Sequence, residues 1–138
     1  MSAPFGEARF GLTEVKWSIY PFGGSTTKLV HQIGYVHAME LLLTARLIDA
    51  EEAARLELIN RVIERDQLIG WATETAERIA ANSPSAVQAV KRQVTATIAD
   101  YVLAREAQEQ ELGDKVRASR HFAEGVAAFR EKRQPRYE

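Results

Sequence analysis

Ala8-Arg9-Phe10-Gly11-Leu12-Thr13-Glu14-Val15-Lys16 runs through Trp17-Ser18-Ile19-Tyr20 into the turn Pro21-Phe22-Gly23-Gly24-Ser25-Thr26. Val15, Trp17 and Ile19 alternate with Lys16, Ser18 and Tyr20. That is the period of a half-buried strand, so the sequence predicts one strand over Phe10 to Tyr20. Pro21 ends it. The glycines read as a turn opening a helix, with Ser25 or Thr26 placed to cap its free amides. That helix should run to about Ile33 and stop near Gly34.

Downstream the pattern is helical. Val36 to Thr44 is rich in helix formers and apolar nearly all round, which predicts deep burial. Asp49-Ala50-Glu51-Glu52 has the form of a capping box: Asp49 accepts from the amide three residues on, and Glu52 reaches back. That helix should end near Leu58, followed by a brief extended link at Asn60-Arg61-Val62-Ile63. Asp66 is placed to cap a helix reaching about Ala81, with Leu68, Ala72, Ala76, Ile79 and Ala80 on one side. At Asn82-Ser83-Pro84 a serine cap precedes proline at the first helical position, where the missing amide costs nothing. Val87, Val90, Val94, Ile98 and Tyr101 then keep three- and four-residue spacing. Ala104 to Arg117 is charged with little apolar face, and should pack weakly or lie over another subunit. A last helix should run from about Phe122 to Lys132 and end at Gln134-Pro135. Alternating strands and helices are missing, so this stretch cannot build a doubly wound sheet. It reads as mainly α with one or two short strands.

The chain has 138 residues, 46% apolar and 27% charged, the balance of a globular domain with a sizeable core. A formal net charge of -1 gives no field that would select nucleic acid or an anionic membrane. The absence of cysteine removes disulfides and thiol chemistry and fits a cytoplasmic protein. Met1-Ser2-Ala3-Pro4-Phe5-Gly6-Glu7 lacks the basic and apolar regions of a signal peptide. No apolar run is long enough for a membrane span.

Taken from the residues alone, Glu14 admits two readings. It is a solvated glutamate at a strand edge, or a buried carboxyl among Phe10, Leu12, Val15 and Trp17, able to move a proton near neutrality. A glycine-rich turn before a helix presents amides and positive potential to an anion or a polarised carbonyl. Arg130, Lys132, Arg133 and Arg136 beside Phe129 are either a solvated basic helix end or a phosphate and adenine contact. His31, His37 and His121 are too far apart in sequence for a local metal pair. Trp17 and Trp71 read as packing residues. Asp66, Glu64 and the Glu106-Glu109-Glu111 group read as caps and solvated faces.

Phe10 to Glu14, Ala38 to Asn60, Ala76 to Arg92 and Glu124-Gly125-Val126-Ala127-Ala128-Phe129-Arg130-Glu131-Lys132-Arg133, in that order, resemble the second half of an enoyl-CoA hydratase/isomerase of the crotonase superfamily. The likeness runs from about Ala8 to Tyr137. It implies the C-terminal half of a crotonase (ClpP/crotonase-like) α/β spiral fold. Residues 8–34 would supply an active-site strand, turn and helix, and residues 35–138 a helical oligomerisation region, within one incomplete domain.

The resemblance makes Glu14 a catalytic glutamate that works with a second glutamate to hold water and move its proton. It makes Pro21, Phe22, Gly23, Gly24, Phe129 and Lys132 substrate-binding residues. The family usually has Pro-Gly-x-Gly-Gly-Thr at the turn, so Phe22 stands at the first glycine, where it would narrow the acyl or water space. Ala45 and Glu57 stand where the family often has helix-terminating glycines. The oxyanion hole and the second glutamate belong to the part of the pattern absent here. The implied function is to act on or bind acyl-CoA thioesters, with syn hydration of a 2-enoyl-CoA once a separate N-terminal half is present. The alternatives are a noncatalytic acyl-CoA-binding or assembly module, or a truncated relic. No metal and no cofactor are expected beyond coenzyme A as part of the substrate. The expected partners are acyl-CoA and either further copies of the chain or an N-terminal crotonase half, with neither nucleic acid nor membrane.

Overall fold

The computed structural model describes residues 2–4 and 8–138. Met1 and Phe5 to Glu7, part of the amino-terminal stretch read above, lie outside the described residues. In chain order the elements are β1 (Ser2–Pro4), a 3-10 helix (Glu14–Trp17), α1 (Ser25–Thr44), α2 (Ala50–Arg55), β2 (Arg61–Ile63), α3 (Leu68–Ala80), α4 (Pro84–Leu103), α5 (Glu106–Arg117) and α6 (Arg120–Arg130). The expectation of a mainly helical chain with short strands holds. β1 and β2 pair in parallel, with Ser2 opposite Arg61 and Pro4 opposite Ile63.

The strand expected over Phe10 to Tyr20 is not there. Among the described residues only Phe10 of this segment pairs, in an isolated antiparallel bridge whose amide and carbonyl exchange bonds with Ile48 at 3.0 and 2.9 Å. A strand needs a neighbour to take its backbone groups. Lacking one here, the segment satisfies its own: Lys16 N–H donates to Thr13 O (3.1 Å), Ser18 to Val15 O (3.2 Å) and Ile19 to Glu14 O (3.0 Å). Ser18 turns left-handed at φ 53° to end the coil.

The two helices expected on either side of Gly34 are two arms of α1, broken where Gly34 takes φ 77° and ψ 164°. Nothing packs within 4 Å of where its side chain would be, so glycine is needed there for the backbone angle alone. The arms bury Leu29 and Ile33, then Ala38, Leu41 and Leu42, against Ile48, Ala50, Ala53, Leu56 and Ile59. Ala38 and Ala53 are fully buried, and their small side chains allow close approach. The second arm is not sunk on all sides as expected: Val36 is 72% and Leu43 67% exposed.

Asp49 caps α2 as predicted, accepting from Glu52 N–H at 2.8 Å. Glu52 does not reach back. Its carboxylate is held by the Arg46 guanidinium at 2.8 and 2.9 Å, and Arg46 also donates to Glu40 at 2.8 Å. The Arg46 hydrogen bonds hold the Glu52 carboxyl below its usual range. Ala45 and Glu57, the positions with family glycines, are left-handed at φ 52° and 61°. Glu57 follows α2 in a Schellman-like ending in which Leu58 N–H reaches Ala53 O at 2.9 Å.

At α3 the N-cap is Gln67 rather than Asp66. α4 begins with Pro84 at its first turn as expected, but Ser83 Oγ pairs with Ser85 Oγ at 3.0 Å instead of capping an amide. α6 starts and stops two residues earlier than the sequence suggested, because Glu131 closes it onto Ala127 O and Lys132 turns left-handed. α3 and α4 bury no residue completely, and Val90 (65%) and Val94 (61%) of the periodic stripe stand exposed.

Candidate active site

Glu14 is the first residue of the 3-10 helix, and its Oε2 is buried with no hydrogen-bond partner among the described residues. A buried carboxylate oxygen without a donor is costly, by about 1–3 kcal/mol, and calls for an explanation outside folding. The small helix carrying it is walled by α6. Gly125 lies so close to the Trp17 carbonyl that a Cβ there would be 2.0 Å from the oxygen. Trp17 meets Phe129 edge to face with ring centroids 5.2 Å apart.

The turn that follows is conformationally demanding. Gly23 and Gly24 take φ 77° and 69° in succession. A Cβ on Gly24 would also fall 2.6 Å from Val102 Cγ1 at the end of α4. Gly24 is the N-cap of α1 and has no side chain to cap with. The acceptor comes from α5. Glu109 takes the Gly23 amide at 2.7 Å and the Gly24 amide at 3.0 and 3.3 Å. The carbonyl side of the turn is held locally, Ser25 Oγ donating to Phe22 O at 2.8 Å and Lys28 Nζ to Gly23 O at 2.9 Å. The anion expected at these amides is therefore one of the protein's own carboxylates.

Sequence reasoning grouped Glu109 with solvated glutamates and missed this role. The one signal was indirect: a helix opened by glycines needs an acceptor from elsewhere, and nothing local says which. α5 is likewise more than a weakly packed charged helix. The Phe22 ring lies over its Gly113, where a Cβ would come 1.9 Å from Phe22 Cζ. Tyr20 stacks edge-on to the ring at 5.5 Å and the Arg117 guanidinium sits 5.4 Å from its centroid. Phe22 is thus turned onto α5.

In residues 131–138 the basic residues diverge. Arg133 is committed to Glu124, with its guanidinium nitrogens at 2.6 and 3.0 Å from the two carboxylate oxygens. That pairing, with the Arg136 backbone amide at 2.8 Å, holds the Glu124 carboxyl down at about 2. Lys132 is exposed, and no ion pair holds it among the described residues. Phe129 is 63% exposed beside it. The structure therefore gathers Glu14, Trp17 and Phe129 around α6. Pro21 to Gly24 it gathers around the start of α1 and α5.

A mostly apolar cleft of about 330 Å³ is lined by Phe10, Leu12, Leu29, Leu41 and Leu58, together with Lys28. Among the described residues no three acidic or histidine side chains group as metal ligands. No helix among them is long and apolar enough to cross a membrane.

Residues 6–138 match the enoyl-CoA hydratase/isomerase family. The chain belongs to that family. An enoyl-CoA hydratase of Mycobacterium tuberculosis is 44% identical over 133 residues, which is 95% of this chain and 49% of that protein. The enoyl-CoA hydratase/isomerase of Pseudoalteromonas atlantica superposes with a TM-score of 0.84 at 33% identity, over 95% of this chain and 53% of that one. The carnitinyl-CoA hydratase of Mycobacterium avium does so with a TM-score of 0.84 at 33% identity, over 94% and 51%. The chain spans about half the length of the curated relatives it matches. This agrees with the reading of residues 8–137 as the C-terminal half of a crotonase fold.

Proposed function

We propose that this chain supplies the Glu14 half of an acyl-CoA hydratase site and adds water across a 2-enoyl-CoA when an N-terminal crotonase half completes it. The observation that carries the reading is the buried Glu14 oxygen with no hydrogen-bond partner among the described residues, in a chain of this family. Such an oxygen is placed to accept a proton from water or to deliver one to the carbon next to the thioester carbonyl. The amides that stabilise the enolate oxygen and the second glutamate come from the complementary half. Without those preorganised donors the chain alone has negligible hydratase activity.

Pro21, Phe22, Gly23 and Gly24 serve the substrate by shape, since Glu109 already takes the two glycine amides. Phe129 and Lys132 form the coenzyme A contact, Phe129 as an apolar face for adenine and Lys132 as the charge for a phosphate. No cofactor is needed beyond the coenzyme A of the substrate. The exposed stripe of α4 favours a second reading, an assembly module that binds acyl-CoA without turning it over.

The deciding experiment mixes the chain with a candidate N-terminal half and follows hydration of a crotonyl-type thioester. Turnover should appear only in the mixture and fall about 10²–10⁴-fold in Glu14→Gln. An active mixture indifferent to Glu14→Gln would remove Glu14 from the chemistry. Binding without turnover in any mixture would favour the assembly module.

A further inference from the structure

The 3-10 helix Glu14–Trp17 is one turn long and buries an unpartnered carboxylate oxygen, so it cannot be expected to hold its place unaided. What holds it comes from the far end of the chain. Tyr137 Oη donates to the Lys16 carbonyl at 2.8 Å, across 121 residues of sequence. The Trp17 carbonyl rests against Gly125, and a Cβ on Gly125 would also stand 3.1 Å from Tyr137 Oη. The Lys16 carbonyl, the Trp17 carbonyl, Gly125 and the tyrosine hydroxyl therefore converge behind the Glu14 helix.

Tyr137 is itself held. Residues 131–138 fold back along α6 because Glu124 accepts from the Arg133 guanidinium and from the Arg136 amide. The Tyr137 ring packs on His121 with centroids 5.4 Å apart, and the Arg120 guanidinium donates to the Glu138 carbonyl. We propose that Tyr137, tethered by Glu124, is a positioning residue that fixes where the Glu14 carboxyl points. The inference rests on the proposed role of Glu14. It adds that residues 131–138, so far considered for coenzyme A, also form the backstop of the catalytic carboxyl. Tyr137 touches no reacting atom. It acts through the Lys16 carbonyl.

Tyr137→Phe keeps the ring and removes only the bond to Lys16, and Glu124→Gln loosens the tether. In the full chain with carboxyl-labelled glutamate, Tyr137→Phe should shift the Glu14 carboxyl resonance. It should also speed amide exchange at Lys16 to Ile19 about tenfold, while leaving the thermal midpoint within about 2 °C. In the assembled hydratase it should lower kcat about tenfold at unchanged KM, because the carboxyl is displaced and substrate binding is not. Glu124→Gln should move the Glu14 resonance and the amide exchange in the same direction, with a lower thermal midpoint because its bonds to Arg133 and the Arg136 amide are weakened. In Tyr137→Phe, an unmoved Glu14 resonance with unchanged exchange overturns the proposal, as does a lowered thermal midpoint with kcat intact. If the wild-type assembly is itself inactive, the hydratase reading falls, and the resonance and exchange measurements still decide the positioning role by themselves.

Discussion

Replacing Gly113 by alanine sets two opposed effects against each other, helix preference and a close contact with the Phe22 ring. Gly113 lies inside α5, where alanine is preferred over glycine by about 1 kcal/mol. Its new Cβ would however stand 1.9 Å from Phe22 Cζ, 2.4 Å from Cε1 and 3.0 Å from Cε2. The ring cannot give way freely, since Tyr20 and Arg117 flank it. Forcing a methyl into such a contact costs about 1–3 kcal/mol. Overpacking wins by about 1 kcal/mol, so Gly113→Ala should lower the midpoint of thermal unfolding by about 4 °C. In a Phe22→Ala background the obstruction is gone and only helix preference remains, so the same change should stabilise by about 1 kcal/mol. The coupling is then about 2 kcal/mol, readable from urea unfolding of the four proteins in the cycle. Equal stabilisation in both backgrounds would refute the contact. The consequence for the site is direct. Glu109 is one turn before Gly113, so an α5 pushed off by the methyl should also loosen its carboxylate from the Gly23 and Gly24 amides.

Ala45→Gly and Glu57→Gly should each stabilise by about 0.5–1 kcal/mol in urea unfolding, because relief of the left-handed strain exceeds the entropy that glycine adds to the unfolded chain; destabilisation by either would mean those angles are not held in solution. Glu109→Ala removes the acceptor that caps the Gly23 and Gly24 amides at a helix start and should cost about 1 kcal/mol, with Glu109→Gln retaining part of the bonding and losing less. Glu124 sets an acid limit. Its usual value is near 4.5 and the folded one about 2, so the unfolded chain takes up the proton first and the stabilisation is full above about 4.5. It declines as the pH falls from there through about 2. The Trp17 indole resonance should follow that decline, and the pH dependence in that window should flatten in Glu124→Gln.

Much of the local structure around the candidate site was legible wherever its determinant was local. The Glu14 stretch and the glycines at the turn stand within a dozen residues, and the two arms of α1 follow from helix formers separated by Gly34. Asp49 capped its helix because the acceptor and the amide are three residues apart. The strand at Phe10 to Tyr20 failed for a nonlocal reason. Alternation reports which side chains face apolar surroundings, but a strand also requires a neighbouring backbone, and among the described residues only Ile48 provides one. Glu109 and Tyr137 were invisible for the same cause. Each meets its partner across more than 80 residues, and a lone glutamate on a charged helix has no periodic signature.

The apolar stripes of α3 and α4 make the complementary point about energetics. Their spacing was read correctly, yet neither helix buries a residue completely, while α1, α2 and the links around them hold the core. Periodicity establishes that a face is apolar and is silent on what covers it. Exposed Val90 and Val94 add almost nothing to the stability of this fold as it stands, because area still in contact with water contributes no transfer free energy. Their substitution by polar residues should therefore be nearly neutral in the chain alone and costly only in an assembly that covers α4. The 3-10 helix behaves in the opposite way. Its hold on α6 and on residues 131–138 is already made within the chain, through Gly125, Phe129 and Tyr137, so the backbone at Lys16 and Trp17 is anchored without a partner. The two regions thus differ in where their stability comes from: the apolar stripe of α4 gains it only on being covered, whereas the 3-10 helix draws it from contacts the chain already makes.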